Sequence, residues 1–401
     1  MIRIYRGMVR VIATAVLCGV GSTAIGSDDS FGELQRFVDD VVESGVPGVV
    51  LQVSYNDNHW VGAAGTSNVE KHVGLQSDDT FPVFSVTKTF TAAIALQLID
   101  EGKLSMEDTL GELLSGTKHA DRVARVPHAE GVTVRQLLNY SNGFYDYGNS
   151  MAFLLATVGT NADFSRQWPI DDLLAYAADP QNPPTGTPGS GYSYTSTGYL
   201  FLGLVIEDVE GQRLEEVMAR RIFEPLKMHR SYLTNYDEWQ APDVTGYVMT
   251  NPEMQEMGLA GGFPVAKGSL VNSTKGSRAR LSAGRGENGV VAPADSLMSF
   301  AQALFAAELF SQSLLDDMVT PQDPVRATAP DSVHNYGMGL HIFEHGDQTW
   351  AMMMGNGAGG EAAVGRELKS GFTFVVLTNT FGTGVTERTM EKMRALVAGS
   401  E

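Results

Sequence analysis

Strand-like segments stand near both ends of this 401-residue chain, and the long stretch between them reads mostly as helix. Near the start, Val49-Val50-Leu51-Gln52-Val53-Ser54-Tyr55 is rich in β-branched residues. Asn56-Asp57-Asn58 is a turn, and His59 to Ala64 reads as the returning strand. Before them, Phe31, Leu34, Phe37, Val38, Val41 and Val42 follow helical spacing up to Gly45. Near the far end, Thr349 to Met354, Glu361 to Leu368 and Phe372 to Thr378 read as three strands, and Val385 to Val397 as a closing helix. An isolated hairpin is marginal in water, so the two groups are expected to pair. The pattern predicts an α+β fold: one antiparallel sheet from both termini, flanked by helices, with a largely helical domain inserted. The expected boundaries are 27–80 plus 287–401 for the α/β domain and 81–286 for the insert. Clefts between such domains are favoured sites for ligands.

The insert opens with Phe84-Ser85-Val86-Thr87-Lys88-Thr89-Phe90, followed by an apolar run to Leu98 that ends near Gly102. A helix apolar nearly all round is buried. Ser85 and Lys88 are three residues apart and so share a face. A serine hydroxyl becomes a nucleophile only when a neighbouring base takes its proton. Desolvation lowers a lysine's pKa, and the expectation here is that Lys88 is lowered enough to share that work. The positive end of the helix favours an anion forming at Ser85. The pair therefore points to acyl transfer. The same spacing recurs at Ser115-Gly116-Thr117-Lys118, but in a polar stretch with no apolar helix after it, which reads as loop.

Residues 1–26 have the form of a secretory signal: Arg3, Arg6 and Arg10, an apolar run from Val11 to Val20, and the small residues around Ala24-Ile25-Gly26. The run is short for a membrane span. The expected location is periplasmic or secreted, with no stable membrane partner after cleavage. Cys18, the only cysteine, follows Leu17, which argues against a lipid attachment site. Removing three arginines and no acids takes the formal charge from −19 to −22. That balance disfavours nucleic acid and anionic membrane surfaces as partners. The eight histidines show no paired ligand spacing, so neither a metal nor another cofactor is expected. No Gly-x-Ser-x-Gly elbow is present, which argues against an α/β-hydrolase.

Further along, Ser193-Tyr194-Thr195-Ser196 follows a Pro-Gly turn and leads into the apolar segment Leu200 to Glu207. Together with Ser85-Val86-Thr87-Lys88, Leu137-Leu138-Asn139-Tyr140-Ser141-Asn142-Gly143, Glu224-Pro225-Leu226 and Tyr336-Gly337-Met338-Gly339-Leu340, it resembles the serine β-lactamase and D-Ala-D-Ala carboxypeptidase superfamily. The resemblance covers almost the whole chain after the leader, and the nearest branch is that of the class C β-lactamases, D-aminopeptidases and related esterases. It implies a β-lactamase/transpeptidase-like fold and three motifs: Ser-x-x-Lys, Tyr-x-Asn, and Lys- or His-x-Gly.

By that resemblance Ser85, Lys88 and Tyr194 are the catalytic residues of a serine hydrolase that works through a covalent acyl-enzyme. Ser196 stands where the family has asparagine. The third motif aligns with Gly355-Asn356-Gly357-Ala358-Gly359-Gly360, so Asn356 replaces the cationic residue that helps hold a substrate carboxylate. Ser196, Asn356, Gly357 and Gly359 are the expected substrate-binding positions. The Ser85 amide and a second N–H near Gly359 are the expected oxyanion donors. The loss of the cation, with Glu361 close in sequence, favours neutral esters or amides over penicillin-like or peptide-carboxylate substrates. A D-Ala-D-Ala carboxypeptidase, D-aminopeptidase or class C-type β-lactamase is the neighbouring reading, and a catalytically silent ligand-binding relative is another. A literal Lys369-Ser370-Gly371 reads as an ordinary hairpin turn.

Overall fold

The computed structural model describes residues 28–148, 150–158, 162–163, 165–234, 240–250, 270–274, 280–281, 283–321, 323–329 and 332–399. The expected signal segment, residues 1–26 with Cys18, lies outside the described residues, as does most of the glycine-rich stretch 260–289.

The elements that frame the site are α1 (Asp28–Glu43), β1 (Gly48–Tyr55), β2 (Asn58–Asn68), β3 (Val73–Gly74), α2 (Thr87–Asp100), α3 (Ser196–Glu210) and α4 (Ala294–Phe305). After them come β4 (Asp323–Ala329), β5 (Ser332–Tyr336), β6 (His341–His345), β7 (Gln348–Gly357), β8 (Gly360–Glu367), β9 (Thr373–Thr378) and α5 (Val385–Gly399). The strands form one nine-stranded sheet in the order β3-β2-β1-β9-β8-β7-β6-β5-β4, every neighbouring pair antiparallel. The sheet is thus built from both ends of the chain, joined where Val49 faces Thr378 and Val53 faces Phe374.

Two apolar cores cover the two faces of the sheet. Side chains alternate along a strand, so each strand feeds both cores. Val49, Leu51, Val53, Met352, Phe374 and Val376 meet α1 and α5. Val50, Ala351, Met353, Val375 and Leu377 meet the helical part of the molecule, including α2, α3 and α4. This explains why β1 and β9 read as nearly unbroken apolar runs.

The apolar sequence of α2 is buried from Thr87 to Gln97 and on to Leu98. Phe90 stacks on Phe300 of α4 at 3.9 Å and meets Phe223 edge-on. An anchor of this kind contributes about 3–5 kcal/mol against truncation to alanine, which fixes α2 as a rigid post. α3 is capped by Thr195, whose hydroxyl accepts the Thr197 N–H, and it ends at Gly211 in the left-handed conformation. Among the described residues no helix is long and apolar enough to cross a membrane, and no His/Cys/Asp/Glu group could hold a metal ion.

Candidate active site

Ser85 lies in a single 3-10 turn, Phe84–Val86, that leads into α2. Phe84 takes a left-handed backbone conformation with φ of 50°, an uncommon state for a bulky residue and one that functional sites often hold. Strand β7 presses against this turn. A Cβ on Gly355 would stand 2.3 Å from the Val83 carbonyl oxygen and 2.7 Å from the Ser85 nitrogen, and one on Gly357 would stand 2.7 Å from the Phe84 ring. Glycine at these two positions lets the sheet touch the start of α2.

Three polar groups converge there. The Lys88 Nζ donates to Ser85 Oγ at 3.0 Å, and the Tyr194 hydroxyl lies 3.0 Å from the same oxygen. Tyr194 sits just before α3, and its ring stacks on Tyr140 at 4.7 Å. Tyr140 in turn packs edge-on against Tyr336. Ser85, Lys88 and Tyr194 are therefore brought together as the sequence pattern anticipates.

A fourth residue completes the cluster, and sequence reasoning missed it. The Glu287 carboxylate accepts from Lys88 Nζ at 2.8 Å, and the Glu287 main-chain oxygen accepts from the same nitrogen at 2.9 Å. The other carboxylate oxygen accepts from the Tyr147 hydroxyl at 2.8 Å. Lys88 is 1% exposed and Glu287 7%. Two threonines of α2 secure the loop that carries Glu287: Thr91 donates to the Gly286 carbonyl, and Thr87 accepts the Val290 N–H. Gly284 makes room, since a Cβ there would lie 2.3 Å from the Glu287 carboxylate. The available signal was one acid inside Gly284-Arg285-Gly286-Glu287-Asn288-Gly289, a segment with no periodicity to announce a role.

Glu287 reverses the expected behaviour of Lys88. Burial alone would lower the Lys88 pKa. The Glu287 carboxylate, and then Tyr194, outweigh that and hold it above the ordinary lysine value. For Glu287, burial pushes upward, but the Lys88 charge and the hydrogen bonds from Lys88 and Tyr147 hold the carboxyl below its ordinary value. The Glu287 carboxylate thus favours the ammonium form of Lys88, against the lowering that burial in an apolar helix led us to expect.

The remaining sequence-derived positions fall differently. Ser196 is buried, and its N–H donates to Asp146 Oδ1 at 3.0 Å. Gly148 closes over it, since a Cβ there would stand 2.8 Å from Ser196 Oγ. Asn356 is exposed and pairs across the ladder with Glu361. Alternation puts both on the same face as Met352 and Met354, which pack toward α1 and α5. Glu361 accepts there from the Gly382 and Thr383 N–H groups. So neither the Asn356 side chain nor the Glu361 charge faces Ser85. The residues of β7 turned toward α2 are Ala351, Met353, Gly355 and Gly357. Gly357 thus lies by the Ser85 turn, as expected. Gly359, at the β7–β8 turn with φ of 124°, packs against Gly246 and Ser273 instead. Lys369-Ser370-Gly371 forms the turn at the opposite end of β8, where Glu367 accepts the Lys369 and Ser370 N–H groups.

A helical region seated on a sheet built from both termini, with serine, lysine and tyrosine meeting at their junction, is the design of the serine β-lactamase and penicillin-binding enzymes. The chain belongs to the Beta-lactamase family, whose model matches residues 34–399. It is 30% identical over 195 residues to Penicillin-binding protein 4 of Amycolatopsis lactamdurans, a stretch covering 47% of this chain and 45% of that relative. The match therefore spans under half of that protein's length. A D-stereospecific amidohydrolase from Streptomyces sp. superposes with a TM-score of 0.69 at 25% identity, over 90% of this chain and 97% of the other. The fold also matches D-amino acid amidase from Ochrobactrum anthropi SV3 complexed with L-phenylalanine, with a TM-score of 0.75 at 21% identity over 92% and 99% of the two chains.

Proposed function

We propose that this protein hydrolyses an ester or amide bond of a small molecule through a covalent acyl-enzyme on Ser85. The observation that carries this reading is the triangle at Ser85 Oγ, with Lys88 Nζ and the Tyr194 hydroxyl each at 3.0 Å. Ser85 Oγ attacks the substrate carbonyl carbon, and its proton leaves through the Lys88–Tyr194 pair. The resulting oxyanion accepts from the Ser85 N–H at the start of the helix and from an N–H of the Gly355–Gly357 segment that abuts it. Collapse expels the alcohol or amine, which takes a proton, and water then repeats the sequence to release the acid.

The absence of a cation on the α2-facing side of β7, where Met353 and two glycines stand, favours substrates without a carboxylate at that position. The amidohydrolase among the similar structures supports an amide as well as an ester. The basic and apolar leader supports an exported enzyme.

Intact-mass measurement after exposure to a fluorophosphonate tests the nucleophile. One adduct is expected on the wild type and none on Ser85→Ala; an unlabelled wild type sinks the enzyme reading. A neutral nitrophenyl ester, a chromogenic cephalosporin and a D-Ala-D-Ala peptide then test the substrate class. The ester is expected to have the highest kcat/KM, and faster turnover of either carboxylate-bearing compound overturns the preference.

A further inference from the structure

We propose that the cavity between the Lys118–His119 turn, the middle of α3 and Arg285 is a second binding site, one that takes a small amphipathic carboxylate. The site does not rely on the reaction at Ser85. Its volume is about 330 Å³, enough for a small ligand. Tyr194 stands just before α3, whereas the cavity is reached at Leu204 and Glu207. At 1.5 Å per residue, those positions lie about 12–17 Å further along the helix than Ser196.

One wall comes from the second Ser-x-x-Lys segment, Ser115-Gly116-Thr117-Lys118, which is the loop its composition suggested. The Thr117 hydroxyl donates to the Leu114 carbonyl and accepts the His119 N–H, and the chain then enters the short helix Ala120–Arg125. His119 is buried at 2% exposure, while Lys118 beside it stays exposed. Ile170 and Leu204 supply the apolar lining.

Most of the charge on the walls is already matched. Arg122 donates from two nitrogens to the two oxygens of Asp171. Arg285 donates to Glu215 and pairs with Glu207, whose carboxylate also accepts the Leu214 N–H. Two groups are left over. The Lys118 ammonium has no ion-pair or hydrogen-bond partner among the described residues. The other group is His119 Nε2. Arg122 Nη1 lies 2.7 Å from His119 Nδ1. A guanidinium can only donate, so Nδ1 accepts. Burial, then the charges of Arg122 and Lys118, hold the ring below its ordinary pKa against the smaller pull of Asp208 and Asp171. The ring is therefore neutral with its hydrogen on Nε2, and that N–H is buried with no acceptor among the described residues. Buried donors of this kind are rare unless something else satisfies them.

A spare ammonium and a spare N–H beside an apolar lining define the ligand. It brings one negative charge, an oxygen that accepts, and a hydrocarbon body: a carboxylate on a short chain. A phosphate dianion is disfavoured, since the Glu207 carboxylate stands on the same wall. Phosphate also has nothing to lay against Ile170 and Leu204.

Titration calorimetry on the full chain tests this, with hexanoate as the probe. One site per chain is expected. The uncharged 1-hexanol and inorganic phosphate should each bind at least about tenfold more weakly. Lys118→Glu reverses the spare charge at an exposed position that the fold does not depend on, and should weaken hexanoate at least about tenfold. In the wild type, the His119 Hε2 resonance should move as hexanoate is added, a readout that needs no variant to fold. No binding up to about 10 mM hexanoate overturns the proposal, as does a resonance that stays in place at saturation. Equal affinity for hexanol makes the cavity an apolar hole, and equal affinity for phosphate makes it a plain anion site; either result overturns it. Hexanoate affinity unchanged in Lys118→Glu places the ligand elsewhere, the Ser85 cleft included, and overturns it too.

Discussion

Lys88 and Tyr194 stand at equal distance from Ser85 Oγ, in opposite surroundings. Lys88 is sealed in the first turn of α2 and bound at three points, two of them on Glu287. Tyr194 is only partly buried, at the mouth of α3, where its ring stacks on Tyr140 and lies 5.2 Å from Lys88 Nζ. The first setting fixes a charge, whereas the second fixes a ring and aims its hydroxyl at Ser85 Oγ. Two neighbours of one oxygen are thus held by different physics, one by charge pairing and one by ring packing.

The largest expected effect comes from removing the Tyr194 hydroxyl. Tyr194→Phe keeps the stacked ring and should lower kcat by roughly 10²–10⁴-fold with KM little changed. Steady-state kinetics on the neutral ester measures this, and a kcat within a few-fold of wild type would place proton transfer elsewhere. An intermediate effect is expected where the sheet touches the nucleophile's turn. Gly355→Ala sets a methyl group against the Val83 oxygen and the Ser85 nitrogen, backbone atoms that cannot swing aside. It should cost about 1–3 kcal/mol of stability and at least about tenfold in kcat/KM, read from denaturant melts and kinetics together. The smallest effect is assigned to Asn356→Ala. Its side chain is on the far face of β7, so kcat/KM should stay within about threefold and stability within about 0.5 kcal/mol. A hundredfold loss there would restore Asn356 to the substrate.

Much of the architecture was legible in the sequence because local periodicity carried it. Val49 to Tyr55 and Phe372 to Thr378 announced strands, and the apolar run after Lys88 announced a buried helix. Ser85, Lys88 and Tyr194 were legible because two of them share a helical turn and the third precedes a recognisable one. Glu287 was not, since its partner is 199 positions away and its glycine-rich setting has no pattern to read. Without that acid, the burial of Lys88 pointed to a lowered pKa, whereas the Glu287 carboxylate holds it raised. The third motif was aligned on β7, with Asn356 expected to meet the substrate. A motif match gave Asn356 prominence, while the two-residue period of β7 turns Gly355 and Gly357, not Asn356, toward α2.

The seam between β1 and β9 has a consequence for how the molecule is made. The neighbour of one of the first strands to leave the ribosome is the last strand of the sheet. Until residues 373–378 emerge, β1 has β2 on one side and a bare row of amide and carbonyl groups on the other. Such a chain has a high contact order and closes slowly, with an aggregation-prone edge exposed meanwhile. A stop codon anywhere before residue 373 would therefore yield a sticky, unclosed sheet and not a smaller working enzyme.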